Sequence, residues 1–169
     1  HLPNNPHNPG ALTMVVLPVN TTQASTITIT ERKRPGTCTL ATPAISLNPA
    51  KANRMAADTP TNLKAGTVSF TGCVGVVRAR LSFDGTAADG DPERWKNTAT
   101  SQPASGVSIA LLSGTTGANY LKKGDANIEV IVSGATASYP MRAGYYIPST
   151  SGINAGNIAA EITITAAYD

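Results

Sequence analysis

The chain has 169 residues, 41% of them hydrophobic and only 5% aromatic, with 15 glycines and 12 prolines. That length suits one core, and the wealth of Thr, Ser and Ala suits short strands joined by turns; a Leu/Glu/Lys-rich helical bundle is excluded. A formal charge of +3, spread thinly outside Arg32-Lys33-Arg34 and without interleaved aromatics, excludes a nucleic-acid surface.

Residues 1–10 hold three prolines, three asparagines and a glycine and read as an extended tail or linker. Ala11 to Asn20 is a predicted strand with apolar residues on both faces, Leu12, Met14 and Val16 on one and Val15, Leu17 and Val19 on the other, a pattern that demands burial on both sides. After a polar break, Thr26 to Thr30 alternates and sets Ile27 and Ile29 on one face. Glu31-Arg32-Lys33-Arg34 reads as a solvated strand end closed by Pro35-Gly36.

Further strands are predicted at Thr39 to Leu47, at Gly66 to Cys73 with Val68 and Phe70 inward, and at Val76 to Phe83 with Val77, Ala79, Leu81 and Phe83 aligned. Gly106 to Leu112, Asn127 to Ser133 and Tyr139 to Ile147 follow, the last aligning Tyr139, Met141, Ala143, Tyr145 and Ile147. Ile158, Ala160, Ile162, Ile164, Ala166 and Tyr168 share a face at the end of the chain, and a one-residue slip would bury Glu161, which fixes the register. Residues 48–65 and 84–105 read as irregular. Seven to nine short strands without a helix predict an all-β sandwich.

Chemistry is sparse. The two histidines, His1 and His7, fall in the tail, away from any rigid element that could hold a base, so no catalytic residue, cofactor or metal is expected and the chain reads as a non-enzyme. The carboxylates of Asp84 to Glu93 miss the spacing of an EF-hand loop and read as a solvated turn. Trp95 and the Tyr145-Tyr146 pair could stack on a sugar, but isolated aromatics more often pack a core. Cys38 and Cys73 make neither a zinc site nor a CxxC motif; one disulfide or two buried thiols remain open, and a closed loop of that size would contribute about 3 to 4 kcal/mol. No segment approaches the roughly 20 apolar residues of a membrane-spanning helix. No signal peptide is apparent, so if the protein is exported this is its mature form.

Several segments carry a resemblance. Ala160 to Asp169 is an alternating terminal strand with Tyr168 one residue from the end; Leu81 to Gly85, Lys96 to Ala99 and Ala104 to Leu112 form a central block; Tyr139 to Tyr146 and then Ile153 to Asn157 form a penultimate strand and loop; Ser25 to Ile29 precedes Cys38. In this order and spacing they resemble the chaperone–usher pilins, the family of type 1 and P fimbriae of Gram-negative bacteria. The resemblance implies an incomplete immunoglobulin-like β-sandwich completed by a donated strand, with a disulfide between Cys38 and Cys73. It implies a structural fimbrial subunit that assembles by donor-strand exchange and supports cell adhesion. Its partners would be neighbouring pilin subunits, with a periplasmic chaperone and an outer-membrane usher during assembly; it would pass through the periplasm to an extracellular fimbria. Residues 1–24 are then an N-terminal extension, donor strand or linker, and residues 25–169 the pilin domain.

Leu12, Met14, Val16, Ile27 and Ile29 are the donor-strand candidates, and Tyr139, Met141, Ala143, Tyr145, Ile162, Ile164 and Tyr168 are expected on the strands of the groove or core. If Ser25 to Pro35 is the donor, Glu31 and Lys33 fall at inward positions, where buried charge is costly. Two alternatives accompany this reading: the anchoring domain of a two-domain tip adhesin, which accepts a strand and donates none, and an unrelated secreted β-sandwich binding module.

Overall fold

Period-two patterning produces strands almost throughout. The computed structural model describes residues 14–16, 25–32 and 38–169. Its strands are β1 (Met14–Val16), β2 (Ser25–Arg32), β3 (Thr39–Ala41), β4 (Ile45–Leu47), β5 (Thr61–Thr71), β6 (Arg78–Gly85) and β7 (Ala87–Ala88), followed by β8 (Asp91–Trp95), β9 (Ser108–Ser113), β10 (Tyr120–Leu121), β11 (Ile128–Ile131), β12 (Ala137–Tyr146) and β13 (Ile158–Tyr168). A single 3-10 turn at Ala52–Arg54 is the one helical element among the described residues.

Two sheets face each other. One has the order β11-β6-β13-β2-β4, with β1 added to β13; the other has the order β3-β5-β12-β9-β8-β7, with β10 added to β9. The inward residues of both form one core: Ile27, Ile29, Ile45, Leu47, Leu81, Phe83, Ile162 and Ile164 from the first sheet meet Val68, Phe70, Ile109, Leu111, Met141 and Tyr145 from the second. The fold is an immunoglobulin-like sandwich in architecture, two mostly antiparallel sheets with alternating inward faces.

Three sequence expectations need correction. The stretch Thr39 to Leu47 is two strands in opposite sheets, broken at Thr42-Pro43-Ala44, because Pro43 has no N–H to continue a ladder. Residues 84–105 contain the β7–β8 hairpin, and β5 begins at Thr61, inside the stretch read as irregular. Val77, aligned in sequence with Ala79 and Leu81, is 59% exposed, since it precedes β6 at the end of the sandwich where nothing faces it.

The two ends of the sandwich differ. At one end Cys38 and Cys73 are joined in a disulfide, Cys73 N–H donates to Ala135 O, and Val77 N–H donates to the last residue, Asp169. At the other end the loops 96–107 and 148–157 are knitted together. Pro103 bridges Asn157 and Ser105 bridges Asn154. The Asn97 side chain donates to Ala104 O and Asn157 O and accepts from the N–H groups of Ala99 and Ala159. Gly156 belongs to this knot, since a Cβ there would lie 2.5 Å from Ala104 N and Gln102 O. β13 runs from this loop end to the disulfide end.

Candidate groove and its resident strand

The long edge of β13 has one neighbour in β6, paired from Ile162 to Tyr168. Its opposite edge faces β4, from the chain's first pass up the sandwich, and β2 lies in the gap between them. β2 pairs parallel with β13, Thr28 opposite Glu161 through Arg32 opposite Thr165, and antiparallel with β4, Ser25 opposite Leu47 through Ile27 opposite Ile45. The parallel direction has a simple cause: β2 ends six residues before Cys38, at the disulfide end, so the chain can enter its own groove only running toward that end.

Ile27 and Ile29 are fully buried. Burying the two would contribute roughly 3 to 6 kcal/mol before ordering costs. Ile45 and Leu47 on β4 and Ile162 and Ile164 on β13 are buried as well and form the walls. Hydrogen bonds pin the strand. Ser25 shares one with the Tyr145 hydroxyl, which also donates to Asn48 O at 2.9 Å, and Thr42 Oγ1 donates to Ile29 O at 3.2 Å. Burial pushes the Tyr145 hydroxyl up to about 12, against a smaller opposing effect of the Ser25 bond.

At the far end Glu31 is only 6% exposed, opposite Ile164. It bears on Tyr168, whose hydroxyl is also pushed up to about 12, mainly by burial and further by the Glu31 charge. The charge flagged in the sequence is thus inward in the resident strand. Lys33 and Leu12 lie outside the described residues. Met14 and Val16 belong to β1, which pairs antiparallel with β13, Met14 opposite Ala160 and Val16 opposite Ile158, and lies against β2 and β4.

On β12, Met141, Ala143 and Tyr145 point into the core; Tyr139 is half-buried, its hydroxyl bonded to Ser113 Oγ at 2.8 Å. Ile162 and Ile164 are fully buried, and the half-buried Tyr168 sets its ring edge-on to Phe70 at 6.3 Å. Ser25, Asn48, Ile45 and Leu47 complete the groove; the alternation of Ile45-Ser46-Leu47 was a signal for the last two, whereas nothing local marks Ser25 or Asn48.

The other candidates resolve into packing. Trp95 is fully buried with its indole N–H donating to Asp84 O at 2.9 Å. Tyr145 and Tyr146 lie on opposite faces, and Tyr146 meets Tyr120 edge-on at 6.2 Å beside the Arg94 guanidinium, which sits 4.3 and 4.6 Å from the two rings. The carboxylates of 84–93 are taken up by cations, Asp84 by Lys123, Asp89 by Lys96, Asp91 and Glu93 by Arg94, and Glu93 also by Lys122, and no calcium-like cluster forms among the described residues. His1 and His7 lie outside the described residues.

A sandwich whose gap is filled by the N-terminal strand β2, with the start of β3 stapled to the end of β5, is matched at the level of sequence as well: residues 23–169 match the fimbrial protein family. The chain belongs to that family. Solved structures agree. A Burkholderia pseudomallei antigen and type I fimbria protein, BPSL1626, is 21% identical, with a TM-score of 0.58 over 87% of this chain and 96% of that one. The P pilus rod subunit PapA is 9% identical with a TM-score of 0.53, over 79% of this chain and 99% of that one. The CupB6 tip adhesin of Pseudomonas aeruginosa is 15% identical with a TM-score of 0.51, over 67% of this chain and 36% of that one. No curated protein sequence matches the chain. At these identities the neighbours show the fold; membership of the family makes the fimbrial subunit a structural protein of extracellular fimbriae with other pilin subunits as its partners. No helix among the described residues is long and apolar enough to cross a membrane.

Proposed function

We propose that the fimbrial subunit assembles by donor-strand exchange, with Ser25–Arg32 as the segment it donates, and that a periplasmic chaperone and an outer-membrane usher deliver it to a fibre that supports adhesion. The observation that carries this reading is the seat of β2. An N-terminal strand fills the gap between β4 and β13 with Ile27 and Ile29 fully buried, and a neighbouring copy presents the same gap to the same strand. Without an occupant, the backbone groups of Glu161 to Thr165 and of Ile45 to Leu47 would lose their ladder, so an empty groove is unstable. Backbone pairing then supplies the affinity and alternate side chains the fit.

The test is deletion of residues 1–32. The truncated chain should be unstable alone and should regain a cooperative unfolding transition when a peptide of residues 20–34 is added. A truncated chain that folds with unchanged stability and ignores the peptide would exclude strand donation. A second reading is supported by the likeness to the longer tip adhesin: the chain would be an anchoring domain that accepts a strand and donates none. In that case the truncated chain still binds a neighbouring subunit's extension, but a residue 20–34 peptide fails to complement other subunits.

A further inference from the structure

Strand direction decides what kind of assembly exchange can make. If a second copy inserted its β2 parallel to β13, as the chain does with itself, the donor's body would sit at the acceptor's disulfide end. That is also where the acceptor's own strand departs, so the exchange would be reciprocal and close a two-fold dimer. Insertion in the reverse direction puts the donor's body at the acceptor's loop end, and the acceptor's strand leaves from the opposite end, free to fill a third copy. Only this arrangement propagates. β13 accommodates the reverse direction, since β1 already pairs with it antiparallel at Ile158 to Ala160.

We propose that in such a fibre the donor's disulfide end, led by Val74 and Val77, docks in a cleft at the acceptor's loop end lined by Asn97, Ala99, Pro103, Gly106, Val107 and Pro148. The inference rests on the strand-exchange reading above. Val74 is 71% exposed and Val77 59%, and with Ile131 they gather at the disulfide end three of the four large exposed apolar side chains among the described residues. The loop that carries them is a rigid knob: Gly72 and Gly75 take positive φ of 59° and 69°, Cys73 N–H is bonded to Ala135 O, and the disulfide anchors its start.

The opposing cleft holds about 420 Å³ and is fixed in shape by the four hydrogen bonds of Asn97. Chain length brings the two surfaces together. Only residues 33–37 separate β2 from Cys38, a reach of at most about 22 Å, so a strand seated in the acceptor holds its own body against the acceptor's end.

To test this, the full chain is unfolded in guanidinium and refolded at rising protein concentration, and its oligomers are sized by gel filtration with light scattering. A photo-cross-linking residue at position 74 then reports the partner surface by mass spectrometry. The expected result is a ladder of species beyond the dimer, cross-linked from position 74 to residues 97–107 or 148 of another copy. Val74→Asp should lower the fraction above dimer about tenfold while leaving the monomer's denaturation midpoint unchanged. A ladder indifferent to Val74→Asp, cross-links only to other surfaces, or assembly that stops at a dimer would overturn the docking inference and leave strand exchange standing. A chain that stays monomeric at every concentration would overturn the strand-exchange reading, and the docking with it.

Discussion

Truncating Ile29 to alanine asks how firmly β2 is held. Its side chain is fully buried, on the strand that pairs Ile29 with Ile162, and it belongs to the same core cluster as Ile162, Ile45 and Leu47. Ile29→Ala removes three carbons, a transfer loss of about 2.5 kcal/mol at ~0.8 kcal/mol each. The walls are strands of a paired sheet and cannot close over the gap, so the cavity adds to this; the total falls at about 3 to 4 kcal/mol, within the ~2 to 5 kcal/mol usual for such truncations. The control is Thr26→Ala, on a half-buried position of the same strand, which should change stability by about 0.5 kcal/mol or less. Urea unfolding followed through the single buried tryptophan, Trp95, measures both. Equal, small effects of the two substitutions would mean that β2 is not seated in the groove in solution, and the argument from its burial would fail.

Replacing Cys38 and Cys73 together by alanine should cost about 3 to 4 kcal/mol by releasing the 35-residue link, and alkylation of the unreduced wild type should find no free thiol. Arg94→Ala should cost about 1 to 2 kcal/mol in urea unfolding, because the guanidinium lies over both the Tyr120 and the Tyr146 rings; Arg94→Lys, which keeps the charge but loses the broad planar cation, should recover only part of that. Gly156→Ala should destabilise by about 2 kcal/mol or more, since its Cβ would meet backbone atoms of residues 102–104 at about 2.5 Å; a neutral outcome would refute the packing of the loop knot. Tyr145 and Tyr168 have hydroxyls raised to about 12 from an ordinary 10, so between those values the native state holds protons that the unfolded chain has lost. Stability should therefore be level up to about pH 10 and fall as pH rises toward 12, with the Tyr145 and Tyr168 phenols ionising late in an absorbance titration; all five tyrosines titrating together near 10 would contradict their burial.

Most of the sandwich was legible because alternation is a local signal. β13 carries it over 11 residues and its register follows from keeping Glu161 outward. β9 was legible as a strand but not as one buried on both faces: Ala110 and Leu112 are covered, and nothing in Gly106 to Leu112 shows that an Arg94–Tyr120–Tyr146 cluster gathers on that side of the molecule. The break at Pro43 was visible as a residue but not as a change of sheet, because which sheet a short strand joins depends on contacts distant in sequence. In the groove, Ile27 and Ile29 were marked by spacing, whereas Ser25 and Asn48 meet at the Tyr145 hydroxyl across about 100 residues, a relation that only folding creates. The direction of β2 was equally invisible: the short link to Cys38 is written in the sequence, but the end of the sandwich at which Cys38 sits is set only by folding.

If strands are exchanged as proposed, the disulfide at the foot of β3 would also govern mechanics. Tension on a fibre of exchanged strands would enter this subunit through residue 37 and meet the Cys38–Cys73 bond at the next residue. From there the force divides between the backbone into β3 and a covalent path to the end of β5, which lies in the sheet paired along β12 from Thr61 to Phe70. Short strands such as β3 and β4, with three residues each, would unzip rung by rung if pulled from one end. With the cross-link in place β3 is bypassed, and the pull entering at Cys38 is passed as shear to the longest ladder of the second sheet, that of β5 with β12, where many hydrogen bonds must fail at once.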